Sequence, residues 1–443
     1  MHFSNAFSQL ILDLPSEHQG HAIQYSKFKG LIDEVVLELS SMGLSPLILH
    51  DLLESSTNYS GLSLSAESPL RANRSSRVLY EFQEKSGKIE PRLRLFTDST
   101  FANFSVFPSG ETTNEVVVPL VSDKAFFQAL SNDLELISAH LDTVHSDFVQ
   151  TLHVLSRTIG DSARPSSSTS LFQPYSSSRP TLMCMPSIGN KNDLYAWREI
   201  FRLYMEAEVF ESMGETSRGA LTVEESERRL KLFADRISQR GLAEFGDGHQ
   251  LNLKQSHDAL ETFLGMILLI QNIKKFQLAN LEATKKILKR HAKKTALPEL
   301  FFAEDGRQIS PLAILPPANM SLPRTLAQAI TNLLMPIIPH LDDYSCLICT
   351  GVAFKPIRLN CGHVFCVRCL VKIQKRGTDP CPMCRSPCVL QANKANVDWA
   401  LLNFIHDWFP VEVKEKLKFD EEEAAKEDLT ELGLDPNQRC LVM

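Results

Sequence analysis

Residues 346–384 read CLICTGVAFKPIRLNCGHVFCVRCLVKIQKRGTDPCPMC. Seven cysteines and one histidine follow a fixed order: Cys-x2-Cys, eleven residues, Cys-x-His-x2-Cys-x2-Cys, eleven residues and Cys-x2-Cys. Each Cys-x2-Cys pair places two thiolates on one tight turn, where they can occupy two corners of a tetrahedron around zinc. Eight ligands complete two closed sites. Because neither site keeps an open position for a reactive water, the pattern predicts structural zinc.

The ligand pairs need not bind zinc in chain order. Since only a short link separates Cys361 from Cys369, an interleaved arrangement is favoured. One ion is then expected to be held by Cys346, Cys349, Cys366 and Cys369, and the other by Cys361, His363, Cys381 and Cys384. The segment is therefore predicted to be a zinc-folded module, and its function depends on what its surface binds.

Composition limits the classes of protein to consider. The chain has 443 residues, enough for more than one domain, and an apolar fraction of 43% that is ordinary for a folded protein. Its net charge of −7 implies no general attraction to nucleic acid. The longest apolar run, 263–270, is too short to span a bilayer, and residues 1–14 do not resemble a secretory signal. We therefore expect a reducing cytosolic or nuclear setting, where clustered cysteines bind metal.

Apolar spacing organises the rest of the chain. It predicts a helical hairpin over 5–40, a long helix over 123–159, and further helices from Asp193, over 254–274 and over 277–295. Serine, glycine and proline mark irregular insertions at about 55–120 and 160–192, and a linker at 298–342. The zinc module is expected at 343–388, followed by a C-terminal helix at 389–418 and a loose acidic tail at 419–443.

The eight ligands in this order resemble the RING finger, the zinc-binding module of ubiquitin ligases. All eight match, over residues 346–384. The resemblance implies contacts to a ubiquitin-conjugating enzyme from Ile348, Ile373 and Pro382. It also makes Arg385 the candidate catalytic residue, since this cation would hydrogen-bond both the enzyme and ubiquitin and hold the charged thioester in a reactive pose. Such catalysis relies on proximity and orientation, without a covalent intermediate on the ligase.

An alternative keeps the zinc and removes the activity. The same ligand pattern recurs in scaffolds, so the module can be a zinc-stapled surface on which Ile348 and Pro382 are packing residues. The position of Arg385 directly after the final ligand favours activity, because its planar fork of donors suits a bridge between two backbones.

A basic segment lies upstream of the zinc module. Six of the ten residues at 285–294 are Lys or Arg. Helical spacing places four of them on one face: Lys286, Lys289, Arg290 and Lys293. A phosphate-rich ligand would relieve their mutual repulsion, whereas the alternative is an ordinary solvated helix face. Nucleic acid is a poorer ligand, because aromatic residues for base stacking are not interleaved with the cations.

The first hairpin adds Tyr25 and Lys29, one helical turn apart. With the basic segment they resemble the SPX domain, a helical receptor for inositol polyphosphates and pyrophosphates in phosphate homeostasis. The matching pieces are Met1-His-Phe3, residues 25–32, 126–130 with 134–136, and 286–291. The resemblance spans 1–297, with insertions, and implies that the anion is bound by Tyr25, Lys29, Lys286, Lys289, Arg290 and Lys293.

Two positions depart from that family. SPX domains usually have lysine where His2 stands, and an aspartate where Ala292 stands. Loss of the acid leaves the basic patch more positive, so anion binding need not suffer. His2 is expected to weaken the site at neutral pH, because an imidazole is mostly uncharged there.

The chain ends in Cys440-Leu-Val-Met443, which fits a prenylation box of the farnesyl type. Coincidence in a four-residue pattern is the alternative. One lipid on Cys440 would give only weak, reversible attachment, so peripheral membrane contact is expected at most as an addition to a cytoplasmic location.

These observations predict a mainly α chain with two parts: an SPX-like helical bundle with long insertions, and a small zinc-stabilised α+β RING finger. The resulting hypothesis is a ubiquitin ligase, with two structural zinc ions, that is guided by phosphate status. Its expected partners are a ubiquitin-conjugating enzyme, ubiquitin, an inositol polyphosphate or pyrophosphate, and a protein substrate such as a phosphate transporter. The rival hypothesis is a phosphate-sensing adaptor whose zinc module only docks partners.

Overall fold

The computed structural model describes residues 3–50, 77–85, 88–96, 115–165, 192–212, 219–242, 251–297, 301–302, 308–309 and 322–431. The helices among them are α1 (Phe3–Leu12), α2 (Ser16–Gln19), α3 (Tyr25–Ser41), α4 (Val121–Ala163), α5 (Leu194–Ala207), α6 (Val223–Gln239), α7 (Lys254–Thr295), α8 (Leu322–Leu334), α9 (Val367–Lys375), α10 (Trp399–Trp408) and α11 (Pro410–Glu431). The strands are β1 (Arg77–Lys85), β2 (Lys88–Phe96), β3 (Glu115–Pro119), β4 (Glu211–Ser212), β5 (Gly219–Ala220), β6 (Phe301–Phe302), β7 (Gln308–Ile309), β8 (Pro356–Arg358) and β9 (Val364–Cys366). The expected mainly α fold is confirmed.

The chain forms two compact units. The first comprises Met1–Gln150, Phe210–Glu227 and Gly265–Gln328, and the second comprises Thr151–Val209, Arg228–Leu264 and Ala329–Met443.

In the first unit, α3 and α4 pack through apolar side chains at helical spacing. Phe28 and Ile32 of α3 are fully buried, and the Phe28 ring lies edge-on to Phe126 of α4 with 5.9 Å between centroids. The α4 residues Phe127 and Leu130 are also buried. The apolar stripe predicted for the long helix is therefore a core face, which confirms that part of the sequence pattern.

A sheet accompanies these helices, in the order β3-β2-β1-β6-β7. β1 and β2 pair antiparallel, from Arg77 opposite Phe96 to Lys85 opposite Lys88. Leu93 and Tyr80 are buried. The prediction of an irregular insertion over 55–120 was therefore wrong for β1, β2 and β3. Apolar residues that alternate with polar ones in much of β1 and β2, and the short valine run of β3, carry a strand signal.

A buried polar cluster joins this sheet to the helices. The Asp123 carboxylate at the start of α4 is fully buried, accepts a hydrogen bond from the Tyr80 hydroxyl, and lies 2.6 Å from His291 Nε2 of α7. The His291 ring stacks on Phe126 with 4.5 Å between centroids. Burial raises the pKa of Tyr80 well above its usual value, so this hydroxyl remains a donor.

In the second unit, α5 supplies the largest buried side chain. Trp197 is fully buried, and its indole Nε1 donates to Ser256 Oγ at 3.3 Å. Further along α5, Tyr204 packs edge-on against Phe233 and Phe263, with centroid distances of 5.8 and 5.4 Å. The helix predicted from Asp193 thus lies in the core of this unit.

Two further predictions were wrong. The helices expected at 254–274 and 277–295 are one helix, α7, because no glycine or proline separates them and Phe276 continues the buried face. The linker expected at 298–342 contains β6, β7 and α8, and Leu326 and Ile330 of α8 are buried.

The C-terminal segment also differs from the expectation. The helix predicted at 389–418 is two helices, α10 and α11, and α11 extends to Glu431 through most of the acidic run that was expected to be loose. Residues 1–2 and 166–191, and 432–443 with Cys440, lie outside the described residues. Among the residues that are described, no helix has both the length and the apolar character that crossing a bilayer requires.

Three histidines meet where α2 and the following turn pack on α4. His18 is fully buried, and its Nδ1 lies 2.9 Å from Nε2 of His140. The His21 ring stacks on His140 with 4.0 Å between centroids. Burial lowers the pKa of His18 and lowers that of His140 to about 4, whereas the nearby Glu17 opposes both shifts. Both contacts are made to His140, which is therefore a neutral imidazole at pH 7.

The histidine cluster predicts acid sensitivity of the N-terminal helices. An unfolded histidine titrates near 6.5, above the folded values, so the folded state binds fewer protons. The contribution of the neutral histidines to the free energy of unfolding is therefore complete above pH 6.5 and declines as the pH falls from 6.5 towards 4. We expect faster hydrogen exchange in α1 and α2 at pH 5 than at pH 7, after correction for intrinsic rates. His140→Gln should flatten this dependence and the exposed His153→Gln should not; equal pH slopes for all three proteins would contradict the prediction.

Candidate functional site

The first predicted ligand set converges on one point. The Sγ atoms of Cys346, Cys349, Cys366 and Cys369 all lie within 4.8 Å of one another. Cys346 comes from the first knuckle, whereas Cys366 ends β9 and caps α9, where its Sγ accepts from the Cys369 N–H at 3.4 Å. The Cys366 N–H in turn donates to Cys346 Sγ at 3.4 Å. The hydrogen bond between the two side chains lowers the pKa of Cys346 and raises that of Cys366, so Cys346 is the more acidic thiol of this pair.

The second ligand set converges in the same way, from Cys361, His363, Cys381 and Cys384. His363 Nδ1 lies 3.4 Å from Cys361 Sγ and 3.7 Å from Cys381 Sγ. Cys384 is exposed, in contrast to the buried Cys381. The interleaved arrangement of the two sets is that expected from the sequence.

The ligand spacing fits zinc. Zn–S bonds of about 2.3 Å in a tetrahedron place two sulfurs roughly 3.8 Å apart. Cys349 Sγ and Cys366 Sγ are 3.8 Å apart, and the sulfur–nitrogen distances of the second set are as short as a shorter Zn–N bond requires. These eight residues are therefore the ligands of two structural zinc ions. Four protein ligands leave no coordination position for a substrate, so the metal's role is to hold the fold.

The two Cys-x2-Cys knuckles each end in the same type of backbone turn. In the first, Thr350 has φ 57° and its N–H donates to Cys346 O at 2.8 Å. In the last, Arg385 has φ 62° and its N–H donates to Cys381 O at 2.8 Å. A left-handed backbone conformation is unfavourable for a residue other than glycine, so it persists only because the zinc knuckle holds it. The knuckle thereby sets the direction in which the Arg385 side chain leaves the backbone. That side chain is exposed.

The proposed docking residues occupy different environments. Ile348 in the first knuckle is 41% exposed, and Pro382 in the last knuckle is exposed. Ile373 on α9 is partly buried against the core of the module. Met383, beside Pro382, is 52% exposed. Sequence reasoning missed this apolar side chain, although its place between two ligands was the available signal.

Helix α11 packs against the zinc module through charge. Lys372 of α9 lies 2.6 Å from Glu423 and 3.3 Å from Glu427, and Arg368 lies 3.3 Å from Glu423. Val413 joins the module's apolar core. The ion pairs lower the pKa of Glu423, first through Lys372 and then through Arg368. The glutamates of the predicted loose tail therefore pair with basic residues of α9. Because those residues lie on a different element, the sequence around the glutamates does not indicate the pairing.

The residues predicted to bind an anion lie on two adjacent helices. Tyr25 of α3 packs on a cluster that includes Ala283 of α7, and further along both helices Asp33 forms an ion pair with Lys294. The two helices thus run in the same direction, which places Lys29 level with the basic segment. The Lys29 ammonium lies 5.3 Å from the centre of the Tyr25 ring.

On α7 the basic face points outwards. Lys286, Lys289 and Lys293 are exposed and Arg290 is half-buried, whereas Ile287 is buried. Asp33 is the acidic neighbour of this face, and its pKa is lowered by Lys294 and Arg290. Anion binding by these residues stays a prediction, which the exposure of the three α7 lysines supports. The buried His291, held by Asp123, fixes the rotation of α7 about its axis. Sequence reasoning missed this pair, because Asp123 is 168 residues away in the chain.

The two ligand sets predict different responses to loss of a ligand. Cys346 belongs to the buried core of the module and Cys384 does not. Native mass spectrometry should find two zinc ions in the wild-type chain and one in Cys384→Ser, whereas Cys346→Ser should lose both as the module unfolds. Cys388→Ala removes a buried cysteine outside both sets and should retain two ions. Retention of both ions by Cys346→Ser would refute the ligand assignment.

Comparison with known families and proteins agrees with this arrangement. The SPX domain family matches residues 1–302, and the C3HC4-type zinc finger family, or RING finger, matches residues 346–384.

Three relatives illustrate the range of similarity. Transcriptional regulator of yeast form adherence 3 of Candida albicans is 30% identical over 341 residues, which cover 74% of this chain and 60% of that protein. A RING finger protein of Schizosaccharomyces pombe is 31% identical over 307 residues, covering 69% and 59%. E3 ubiquitin-protein ligase RNF135 of Mus musculus is 47% identical over 51 residues, covering 10% and 12%.

The aligned parts of the two fungal relatives amount to 60% and 59% of their lengths. No solved structure matches the chain. Because the SPX family covers more than half of its residues and the eight zinc ligands form the two sites of the second family, the chain belongs to the SPX-domain family and carries a C-terminal RING finger.

Proposed function

We propose that this chain is a RING-type ubiquitin ligase whose SPX domain binds an inositol polyphosphate or pyrophosphate. The observation that carries the ligase half is the last zinc knuckle, which presents exposed Pro382 and Met383 and directs Arg385 from a fixed turn. A relative similar to the RING segment is named an E3 ubiquitin-protein ligase, which supports the same reaction class.

In the proposed reaction, Ile348, Ile373 and Pro382 dock a conjugating enzyme that carries ubiquitin as a thioester. Arg385 then hydrogen-bonds both proteins and restricts the thioester to orientations open to attack by a substrate lysine amine. The amine forms an amide with the ubiquitin carboxyl carbon, and the enzyme's cysteine leaves as the thiol. The ligase supplies orientation only, and the eight cysteine and histidine ligands would hold zinc ions that maintain the fold without taking part in the reaction.

The second half of the proposal concerns the face built by α3 and α7. Exposed cations at 286, 289 and 293, with Lys29 level with them, concentrate positive charge on a face that a polyanion would complement. A phosphorylated inositol suits this face better than a single phosphate, because several phosphates on one rigid ring can reach several cations at once. The expectation that substrates include phosphate transporters rests on the family resemblance alone.

The adaptor hypothesis remains the rival, with a RING surface that docks partners without promoting transfer. The adaptor hypothesis assigns no role to Arg385, whereas the ligase hypothesis requires Arg385 to orient the thioester.

Ubiquitin discharge separates these hypotheses. Charge-assisted hydrogen bonds are worth about 1.5–3 kcal/mol each, so Arg385→Ala should slow discharge from a charged conjugating enzyme by about tenfold to a hundredfold. Ile348→Ala should act mainly by weakening docking of the enzyme. Arg376→Ala removes an exposed arginine elsewhere on the module and should leave the rate unchanged. Wild-type protein that is inert with several conjugating enzymes, yet loaded with zinc, would support the adaptor.

Calorimetry with inositol hexakisphosphate tests the basic face. Loss of one charge-assisted contact should weaken binding by about tenfold, so Lys286→Ala and Lys289→Ala should each reduce affinity and lower its salt dependence. Lys254→Ala removes an exposed lysine from the start of the same helix and serves as the matched control. If the affinities of all three variants equal that of the wild type, the cations form an ordinary solvated surface.

A further inference from the structure

The corner between α10 and α11 leaves helix ends that need partners. The backbone departs from helical geometry at Phe409, with φ −129° and ψ 50°, and the Phe409 side chain is fully buried. A helix end exposes carbonyls or N–H groups that its own turns cannot satisfy. Here two side chains of α5, a helix inside the SPX match, satisfy one group on each side of the corner.

Arg198 of α5 satisfies the end of α10. Its Nη2 donates to the carbonyl oxygen of Trp408 at 2.9 Å, and its Nη1 donates to Glu412 Oε1 of α11 at 3.2 Å. The guanidinium carbon also lies 4.7 Å from the ring centre of Phe409 and 4.9 Å from that of Tyr195. A planar cation next to two aromatic rings, with directed bonds to a carbonyl and a carboxylate, is a contact that lysine cannot reproduce.

Tyr195, one turn earlier on α5, satisfies the start of α11. Its hydroxyl donates to Glu412 Oε2 at 2.7 Å and accepts from the Val411 N–H at 3.1 Å. Burial, together with the bond to Glu412, raises the pKa of Tyr195, so the hydroxyl keeps its proton at any physiological pH. Glu412 thus accepts from both side chains of α5, one on each carboxylate oxygen.

These contacts are enclosed. The side chains of Arg198 and Glu412 are only 18% and 23% exposed, unlike the exposed Arg202 one turn further along α5, which pairs with Glu199 and Glu206 of its own helix. Another side of α5 buries Trp197 in the core of its unit. Helix α5 is therefore fixed on one face and holds the α10–α11 corner on another.

We propose that Tyr195 and Arg198 form a joint that fastens the RING finger to helix α5 of the SPX region. The orientation of the RING finger is then set by α5 through the α10–α11 corner, and not only by the covalent connection over 298–342. Arg198 is a positioning residue: it acts on ubiquitin transfer by holding the module, without contacting the reacting atoms.

The consequence for transfer rests on the proposed function. A ligase fixed to α5 presents the thioester in a restricted direction relative to α5 and to any lysine held beside that helix. Release of the joint should leave the rate of ubiquitin transfer unchanged and alter which lysines the thioester can reach.

The joint itself is tested by hydrogen exchange on the full chain, with no assumption about activity. Arg198→Ala should accelerate exchange at 399–413 by about tenfold, because it removes a partly buried charge-assisted pair. Arg198→Lys should recover only part of the protection, and Arg202→Ala should match the wild type. Tyr195→Phe and Glu412→Gln preserve shape, so they test the joint even if Arg198→Ala does not fold. The proposal would be overturned if the exchange rates at 399–413 equalled those of the wild type in both near-isosteric variants and in any Arg198→Ala protein that folds.

The positioning role is tested with a charged conjugating enzyme. Discharge onto free lysine should stay within about twofold of wild type in Arg198→Ala, since the knuckles are untouched, whereas the set of the chain's own lysines that become modified should change. An unchanged set would refute positioning even if the exchange result holds. If the wild type discharges no ubiquitin at all, the proposed function fails while the joint still stands or falls on hydrogen exchange.

Discussion

Eight ligand atoms drawn into two tetrahedra hold the segment from Cys346 to Cys384 together. So short a segment cannot bury enough apolar surface to fold alone, and coordination supplies the missing free energy. The same coordination decides local geometry beyond the ligands. It imposes the left-handed turn at Arg385, and it holds Ile348 and Pro382 on knuckles that project from the core. An exposed apolar side chain on a rigid turn is suited to docking, because little conformational freedom is lost when a partner binds.

The SPX region has a different organising interaction. Asp123 is fully buried and would be costly without partners; Tyr80 from the sheet and His291 from α7 provide them. This cluster fixes the rotation of α7 about its axis. With that rotation fixed, the exposed lysines of α7 lie on the side next to α3 and Lys29. The buried polar cluster and the exposed basic face are therefore two sides of the same helix, one stabilising the fold and the other available to an anion.

The elements after the zinc ligands connect the zinc module to α5 within the second unit. Helix α11 binds α9 through Glu423 and Glu427, and its first turn meets Tyr195 and Arg198 of α5. A segment rich in glutamate has little apolar surface of its own, so its helix depends on opposite charges supplied by other elements. The acidic composition thus reflects complementarity to α9 and not a lack of structure in the described part, which ends at Glu431.

The sequence by itself determined the zinc sites, because the spacing of ligands on a tight turn is a local property and the metal accepts only one geometry. It also determined the apolar stripes of α3 and α4, since helical periodicity is local too. It did not predict that 254–295 is one helix, or that strands lie within 77–119. The contacts decided by the tertiary structure join residues far apart in the chain: Asp123 with His291, Arg198 with Glu412, and Lys372 with Glu423. Each depends on which elements become neighbours, and side-chain types at large separation carry no record of that until the cores have packed.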